Sequence, residues 1–140
     1  FLFPCDTTNQ FPAACFRYKI RRLFNQSTDP KKIAEICMML PKSQRLGCFH
    51  GLGVAYYQYI FKNPQEIVSV CGNGDFEDKK MCIDGAIELI SVFNKSISTL
   101  TCNYLESSLR VECSRANIYR TFNMEKPLEL YFFEKQNGRE

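Results

Sequence analysis

The sequence has no tryptophan, a single histidine and no cysteines in a Cys-x-x-Cys arrangement. Without that arrangement, zinc ribbons, thioredoxin-like redox sites and c-type haem attachment have no support. Because His50 is the only histidine, it is the only residue that could serve as the histidine base of a catalytic nucleophile. We therefore expect no enzymatic activity, no cofactor and no metal.

Long apolar runs and long basic runs are also missing. No stretch approaches the roughly 18 apolar residues of a membrane-spanning helix, so no membrane span is expected. The net charge is +3 and basic residues occur at most two in a row, which disfavours nucleic acid as the main partner. The chain starts at Phe1 rather than Met, as expected if a signal peptide has been removed.

Cysteine, in contrast, is abundant, with eight residues in 140. The number is even and the cysteines are widely spaced, which predicts disulfide bonds and an oxidising compartment, either secreted or periplasmic. The alternative is a set of reduced, buried thiols. A length of 140 residues suits one domain covering residues 1–140.

The cysteines mark an internal repeat. They form four pairs, and the second members, Cys15, Cys48, Cys82 and Cys113, recur at steps of 33, 34 and 31 residues. This period is typical of solenoids built from helical hairpins. The sequence thus predicts an all-α right-handed solenoid of about four hairpins.

Each repeat is predicted to contain two helices. Helix A follows the second cysteine of one pair, and helix B ends at the first cysteine of the following pair. Pro30 and Pro64 stand where proline fits the first turn of a helix B. The predicted A helices cover residues 13–24, 45–61, 77–93 and 107–122. The predicted B helices cover residues 30–40, 64–71, 97–105 and 125–135.

Helix breakers between paired cysteines predict local disulfides. In each of the first three pairs, a helix breaker lies between the two cysteines: Pro12, then Pro41, then Gly72 with Gly74. Between the cysteines of the fourth pair there is only a helix start, at residues 106–108. The predicted bridges are Cys5–Cys15, Cys37–Cys48, Cys71–Cys82 and Cys102–Cys113. The competing pattern is that of mitochondrial intermembrane-space hairpins, in which both cysteines lie on one unbroken helix and pair with another helix.

The histidine belongs to a set of equivalent positions, two residues after each second cysteine. If the A helices stack, these side chains form a polar ladder, which is the best candidate binding site; its members are Arg17, His50, Asp84 and Arg115. Asp84 next to His50 would raise the histidine pKa and make the pair pH-sensitive. The simpler interpretation of "HGLG" is close helix packing at Gly51 and Gly53.

Three further segments carry candidate features. The stretch "GNGDFEDKK" weakly resembles a calcium loop, but Asp75 as a helix cap explains it more simply. Asn25 and Asn94 match the acceptor pattern for N-glycosylation. The aromatic tail "LELYFFEKQ", residues 128–136, is expected to cap the last repeat, to contact a partner, or to form a plain terminal helix.

The stretch "LGCFHGLGVAYYQYI" resembles the Sel1-like branch of the tetratricopeptide superfamily, whose secreted members carry one disulfide per repeat. "CFHGLG" is also similar to a Cys-x-His-Gly-x-Gly-His motif of secreted bacterial proteins, with Val54 in place of the second histidine. The resemblance implies an exported interaction module with no reaction attached.

We therefore expect a non-catalytic protein- or peptide-binding module, or an accessory subunit of an extracytoplasmic assembly. Its partner would be another protein or peptide, including a membrane-bound complex. The alternative is a redox, haem- or metal-binding subunit of a larger complex that uses His50 as a ligand.

Overall fold

The structure is a computed structural model that describes Cys5, Cys15, residues 17–20, Arg22 and residues 29–118. All regular elements in this part of the chain are helices, as predicted. The α-helices are α1 (Pro30–Met38), α2 (Lys42–Lys62), α3 (Ile67–Val70), α4 (Phe76–Phe93), α5 (Lys95–Cys102) and α6 (Ser107–Ile118). A 3-10 turn, Pro64–Glu66, leads directly into α3.

The predicted helices are present in the described part of the chain, but two B helices are shorter at their C-terminal ends than predicted. The one predicted over 30–40 ends at Met38, and the one predicted over 97–105 covers Lys95–Cys102. α2 and α4 correspond to the second and third A helices, predicted over 45–61 and 77–93. The B helix predicted over 64–71 is the 3-10 turn followed by the short α3. The described residues within 13–24 are helical, whereas 119–122 and the last predicted helix, 125–135, lie outside the described residues.

Side-chain caps set the helix starts. The Asp29 carboxylate accepts a hydrogen bond from the Lys31 backbone N–H at 3.0 Å, and Pro30 occupies the first turn of α1. The Asn94 side chain likewise accepts from the Ile97 N–H at 3.1 Å and starts α5 directly after α4 ends. The proline signal at Pro30 therefore marks a real helix boundary, and Asn94 marks a further one.

All four predicted disulfides are present, and no cysteine is free. Pro41 immediately precedes α2, and Gly74 has a φ of 86°, so the chain turns between the paired cysteines. The fourth pair is separated by a turn between α5 and α6. The alternative with both cysteines on one unbroken helix is therefore wrong, as is the alternative of reduced thiols.

α2 and α4 form the centre of the core and run in the same direction. Arg45 and Asp78 join their N-terminal ends at 2.9 Å, and the rings of Tyr57 and Phe93 stack near their C-terminal ends, with centroids 5.9 Å apart. The two helices bury apolar side chains, including Phe49, Leu52, Ile60, Ile83, Ile87 and Ile90. Neighbouring A helices that run in parallel are what a helical-hairpin repeat requires.

Candidate functional site

Three of the four ladder residues lie in the core. His50 and Asp84 are completely buried and Arg17 is 2% exposed. Arg115, on α6, is partly exposed and forms an ion pair with Glu112 at 3.1 Å. Since side chains buried to this degree do not reach the surface, a partner docking on this structure would contact other residues.

The backbone next to the ladder shows why glycine follows His50. A Cβ atom on Gly51 would lie 2.8 Å from the Cα and carbonyl oxygen of Arg17, and one on Gly85 would lie 2.2 Å from the carbonyl oxygen of His50. A side chain cannot fit in either space. Arg17 and His50, each two positions after the second cysteine of its pair, therefore pack against glycines of the next helix. These glycines, Gly51 and Gly85, each stand three positions after the second cysteine of the next pair.

Gly53 allows a further close approach of α2 and α4. Its Cβ would lie 1.9 Å from the carbonyl oxygen of Cys82. The interpretation of "HGLG" as a helix-packing motif is thus confirmed. The same positions bring Arg17, His50 and Asp84 onto neighbouring helical segments, whereas contact between their side chains stays a prediction.

Glu88 is a polar core residue that the repeat pattern missed. It is 1% exposed, and its Oε2 lies 3.7 Å from Nε2 of His50. Glu88 stands one helical turn after Asp84, so both carboxylates project from similar faces of α4. An acidic residue inside the apolar run "AIELI" was the sequence signal that could have revealed it.

The polar stretch before α4 forms a helix cap. Asp75 accepts from the Asp78 N–H at 3.0 Å, and Asp78 accepts from the Asp75 N–H at 2.9 Å. This reciprocal capping box confirms that Asp75 caps the helix. Among the described residues, no group of three or more His, Cys, Asp or Glu side chains could hold a metal ion.

Arg45 ties this cap to the start of α2. Its Nε lies 2.9 Å and 3.0 Å from the two carboxylate oxygens of Asp78, and its terminal nitrogen also contacts Asp78. The hydrogen bond to Asp78 raises the pKa of Arg45. The hydrogen bond from the Asp78 backbone, supported by the Arg45 charge, lowers the pKa of Asp75. Because Asp78 is only 2% exposed, we assign a mainly structural role to the ion pair between Arg45 and Asp78.

The surface carries an exposed aromatic groove near the C-terminal ends of α2 and α4. We use the name aromatic groove for the cavity of about 380 Å³ lined by Tyr57, Gln58, Phe61, Lys62 and Phe93. The Tyr57 and Phe93 rings are nearly parallel, with an angle of 11° between their planes. Phe93 is 64% exposed, so a large apolar surface faces solvent here.

The glycosylation candidate Asn94 lies directly beside this groove. It is exposed and occupies the junction between α4 and α5. Its side-chain oxygen caps α5. Asn25 and the tail over 128–136 lie outside the described residues.

No helix in the described part of the chain combines the length and apolar character needed to cross a bilayer. The four disulfides indicate an oxidising compartment. No family model, curated protein or solved structure matches the chain.

Proposed function

We propose that the chain is a non-catalytic protein- or peptide-binding module of the α-solenoid type, exported to an extracytoplasmic space. The observation that carries this proposal is the aromatic groove on a disulfide-stapled helical frame. The occupant we propose is a peptide segment that packs apolar side chains against the exposed faces of Tyr57, Phe61 and Phe93.

The chemistry of the groove favours a peptide ligand. Aromatic side chains are enriched in protein interfaces because they offer large contact areas with few rotatable bonds. Lys62 and Gln58 provide polar groups beside the rings, as in an interface with an apolar centre and a polar rim. Since the stacked rings are already in place, little ordering would be needed on binding.

A solenoid arrangement is supported by the spacing of contacts between α2 and α4. Arg45 contacts Asp78, 33 residues later, and Tyr57 stacks on Phe93, 36 residues later. Gly51 packs against the backbone of Arg17, one cysteine period earlier, and Gly85 packs in the same way against the backbone of His50. These separations lie close to the cysteine period, as expected if each repeat contacts mainly its neighbours.

The compartment supports the same function. Local disulfides stabilise repeats outside the reducing cytosol, which is consistent with a secreted or periplasmic protein. A module of this kind would serve an extracytoplasmic assembly, including one anchored in a membrane. The alternative role of His50 as a haem or metal ligand gains no support, because a ligand there would have to separate packed core helices.

Selection of a displayed peptide library on the oxidised protein tests the proposal. Selected peptides should contain aromatic or large aliphatic residues and should bind Phe93→Ala at least about tenfold more weakly, since a buried aromatic anchor contributes about 2 kcal/mol or more. Val111→Ala is the matched control, because Val111 is 68% exposed but does not line the groove. Peptides that bind both variants and the wild type equally would refute the groove as the binding site.

A further inference from the structure

The short loop between α3 and α4 contains an asparagine followed by a glycine, Asn73 and Gly74. The loop is held at both ends, since Cys71 is joined to Cys82 of α4 and Asp75 caps that helix. Gly74 has a φ of 86°, a left-handed backbone conformation that glycine adopts without strain. Because Gly74 has no side chain, no group on its own Cα shields its backbone nitrogen from the Asn73 side chain.

The two amide groups of this pair are not held by hydrogen bonds within the part of the chain that the structure describes. Neither the side-chain amide of Asn73 nor the backbone N–H of Gly74 has a partner there. Asn73 is partly exposed and lines a cavity of about 620 Å³ together with Tyr59 and Ser69. Since a polar cavity of this size holds water, the Asn73 amide is accessible to solvent and its side chain is free to rotate.

We propose that Asn73 is a site of spontaneous deamidation through a cyclic imide. The Gly74 nitrogen gives its proton to a base in solution and attacks Cγ of Asn73, and the new C–N bond forms as the Cγ–Nδ2 bond breaks and ammonia leaves. Water then opens the ring at one of its two carbonyl carbons. Opening at Cγ gives aspartate, whereas opening at the backbone carbonyl gives isoaspartate, in which the main chain runs through the former side chain. The nucleophile and the amide are neighbours on one chain, so water is the only other reactant.

Three other asparagines of the described chain show what protects an amide from this reaction. The backbone N–H that follows Asn103 donates to the Thr101 carbonyl at 3.2 Å, so that nitrogen is already engaged. The Asn117 side chain donates to the Thr99 hydroxyl at 3.0 Å. Asn63 is followed by a proline, which has no N–H to lose. Asn73 has none of these protections.

The isoaspartate product would act on the ion pair that joins α2 to α4. A Cβ atom on Gly74 would lie 2.5 Å from Oδ2 of Asp78, so the Gly74 backbone packs directly against the carboxylate that pairs with Arg45. Isoaspartate at position 73 adds one methylene group to the main chain next to Gly74, in a loop that the disulfide and the helix cap hold at both ends. The Gly74 backbone must then shift in a close-packed environment, and we expect the pair between Arg45 and Asp78 to weaken.

Ageing of the oxidised protein at mildly alkaline pH tests the modification. Peptide mapping by mass spectrometry should find aspartate and isoaspartate at position 73, formed at least about tenfold faster than at Asn103. The rate should rise with pH, because the attacking nitrogen must lose its proton. Asn73→Gln is the matched control and should stay unmodified over the same period, since its longer side chain would have to close a larger, less favourable ring. Deamidation of Asn73 no faster than that of Asn103 would overturn the proposal.

Urea unfolding of the same samples tests the structural consequence. Ageing should lower the unfolding midpoint of the wild type and should have a much smaller effect on Asn73→Gln. Freshly prepared Asn73→Asp carries the added charge without the altered backbone, so its midpoint should lie close to that of the fresh wild type. A fresh Asn73→Asp as unstable as the aged wild type would refute the role of the isoaspartate linkage.

The variant Arg45→Met shows whether the effect passes through the ion pair. Because this variant lacks the pair with Asp78, ageing should lower its unfolding midpoint less than that of the wild type. An equal loss in both proteins would refute the link between the loop and the pair. These results are independent of whether the aromatic groove binds a peptide.

Discussion

The carbonyl oxygen of His50 fills the space in which a side chain on Gly85 would begin, with only 2.2 Å between that oxygen and an added Cβ atom. This contact brings the backbones of α2 and α4 together beside the polar core residues. It explains why a glycine follows Asp84 within a long helix, where glycine is otherwise unfavourable.

Gly85→Ala should therefore destabilise the protein. Helix propensity alone would make alanine more favourable by about 1 kcal/mol, so propensity and packing predict opposite signs. We expect packing to dominate and the free energy of unfolding to fall by about 2 kcal/mol. Urea unfolding measures this change in free energy, and Val92→Ala, at an exposed position of the same helix, is the control. A stabilised Gly85→Ala would mean that the helices are farther apart than described.

Arg45→Met should weaken the joint between α2 and α4. The change keeps much of the apolar stem but leaves the Asp78 carboxylate, 2% exposed, without its guanidinium partner. We expect a loss of about 2 kcal/mol in the free energy of unfolding, part of the full value for a buried pair because Arg45 is partly exposed. In the background of Asp78→Asn, the same Arg45→Met change should have a much smaller effect. Additive effects in this double-mutant cycle would contradict the pairing.

The lowered pKa of Asp75 predicts a dependence of stability on acid. A carboxylate whose folded pKa lies below the unfolded value of about 3.9 stabilises the folded state above that pH and loses this contribution as the pH falls through the folded pKa. Asp75→Asn retains a good cap but lacks the charge. Wild type should be more stable than the variant at pH 6, and the difference should vanish at the most acidic pH. A difference independent of pH would show that the Asp75 charge is not involved.

Removing the bridge between α3 and α4 should destabilise the protein. The double variant Cys71→Ala and Cys82→Ala opens a loop of about a dozen residues, worth about 3 kcal/mol in the chain-entropy model. Thermal and urea unfolding of the oxidised proteins check this value, and the reduced wild type should lose stability further. Equal stability of the variant and the oxidised wild type would show that this bridge does not contribute.

The histidine offers a test of the polar core. Because His50 is the only histidine, its imidazole gives unique NMR signals. Glu88→Gln should shift these ¹⁵N signals and disfavour the charged ring, since the Glu88 carboxylate lies 3.7 Å from Nε2. Asp84→Asn tests the predicted ladder in the same way. Unchanged signals in Asp84→Asn would remove the His50–Asp84 contact from the ladder.

Much of the architecture could be predicted from the sequence. The cysteine period and the prolines predicted α1, α2 and α4 to within a few residues, and the helix breakers between paired cysteines predicted all four disulfides. These features are local: a cap, a helix breaker or a short disulfide loop acts on neighbouring residues, so their spacing along the chain carries the information.

Only the tertiary structure decided which side chains meet and which remain at the surface. The sequence placed His50 in a ladder with Asp84, but it did not indicate that Glu88 lies 3.7 Å from the Nε2 of His50. The stacking of Tyr57 on Phe93 likewise depends on the axial offset and rotation of two helices separated by a full repeat. Helical periodicity predicts the face of a residue on its own helix, but the relative position of two packed helices follows from how their side chains and glycines fit together.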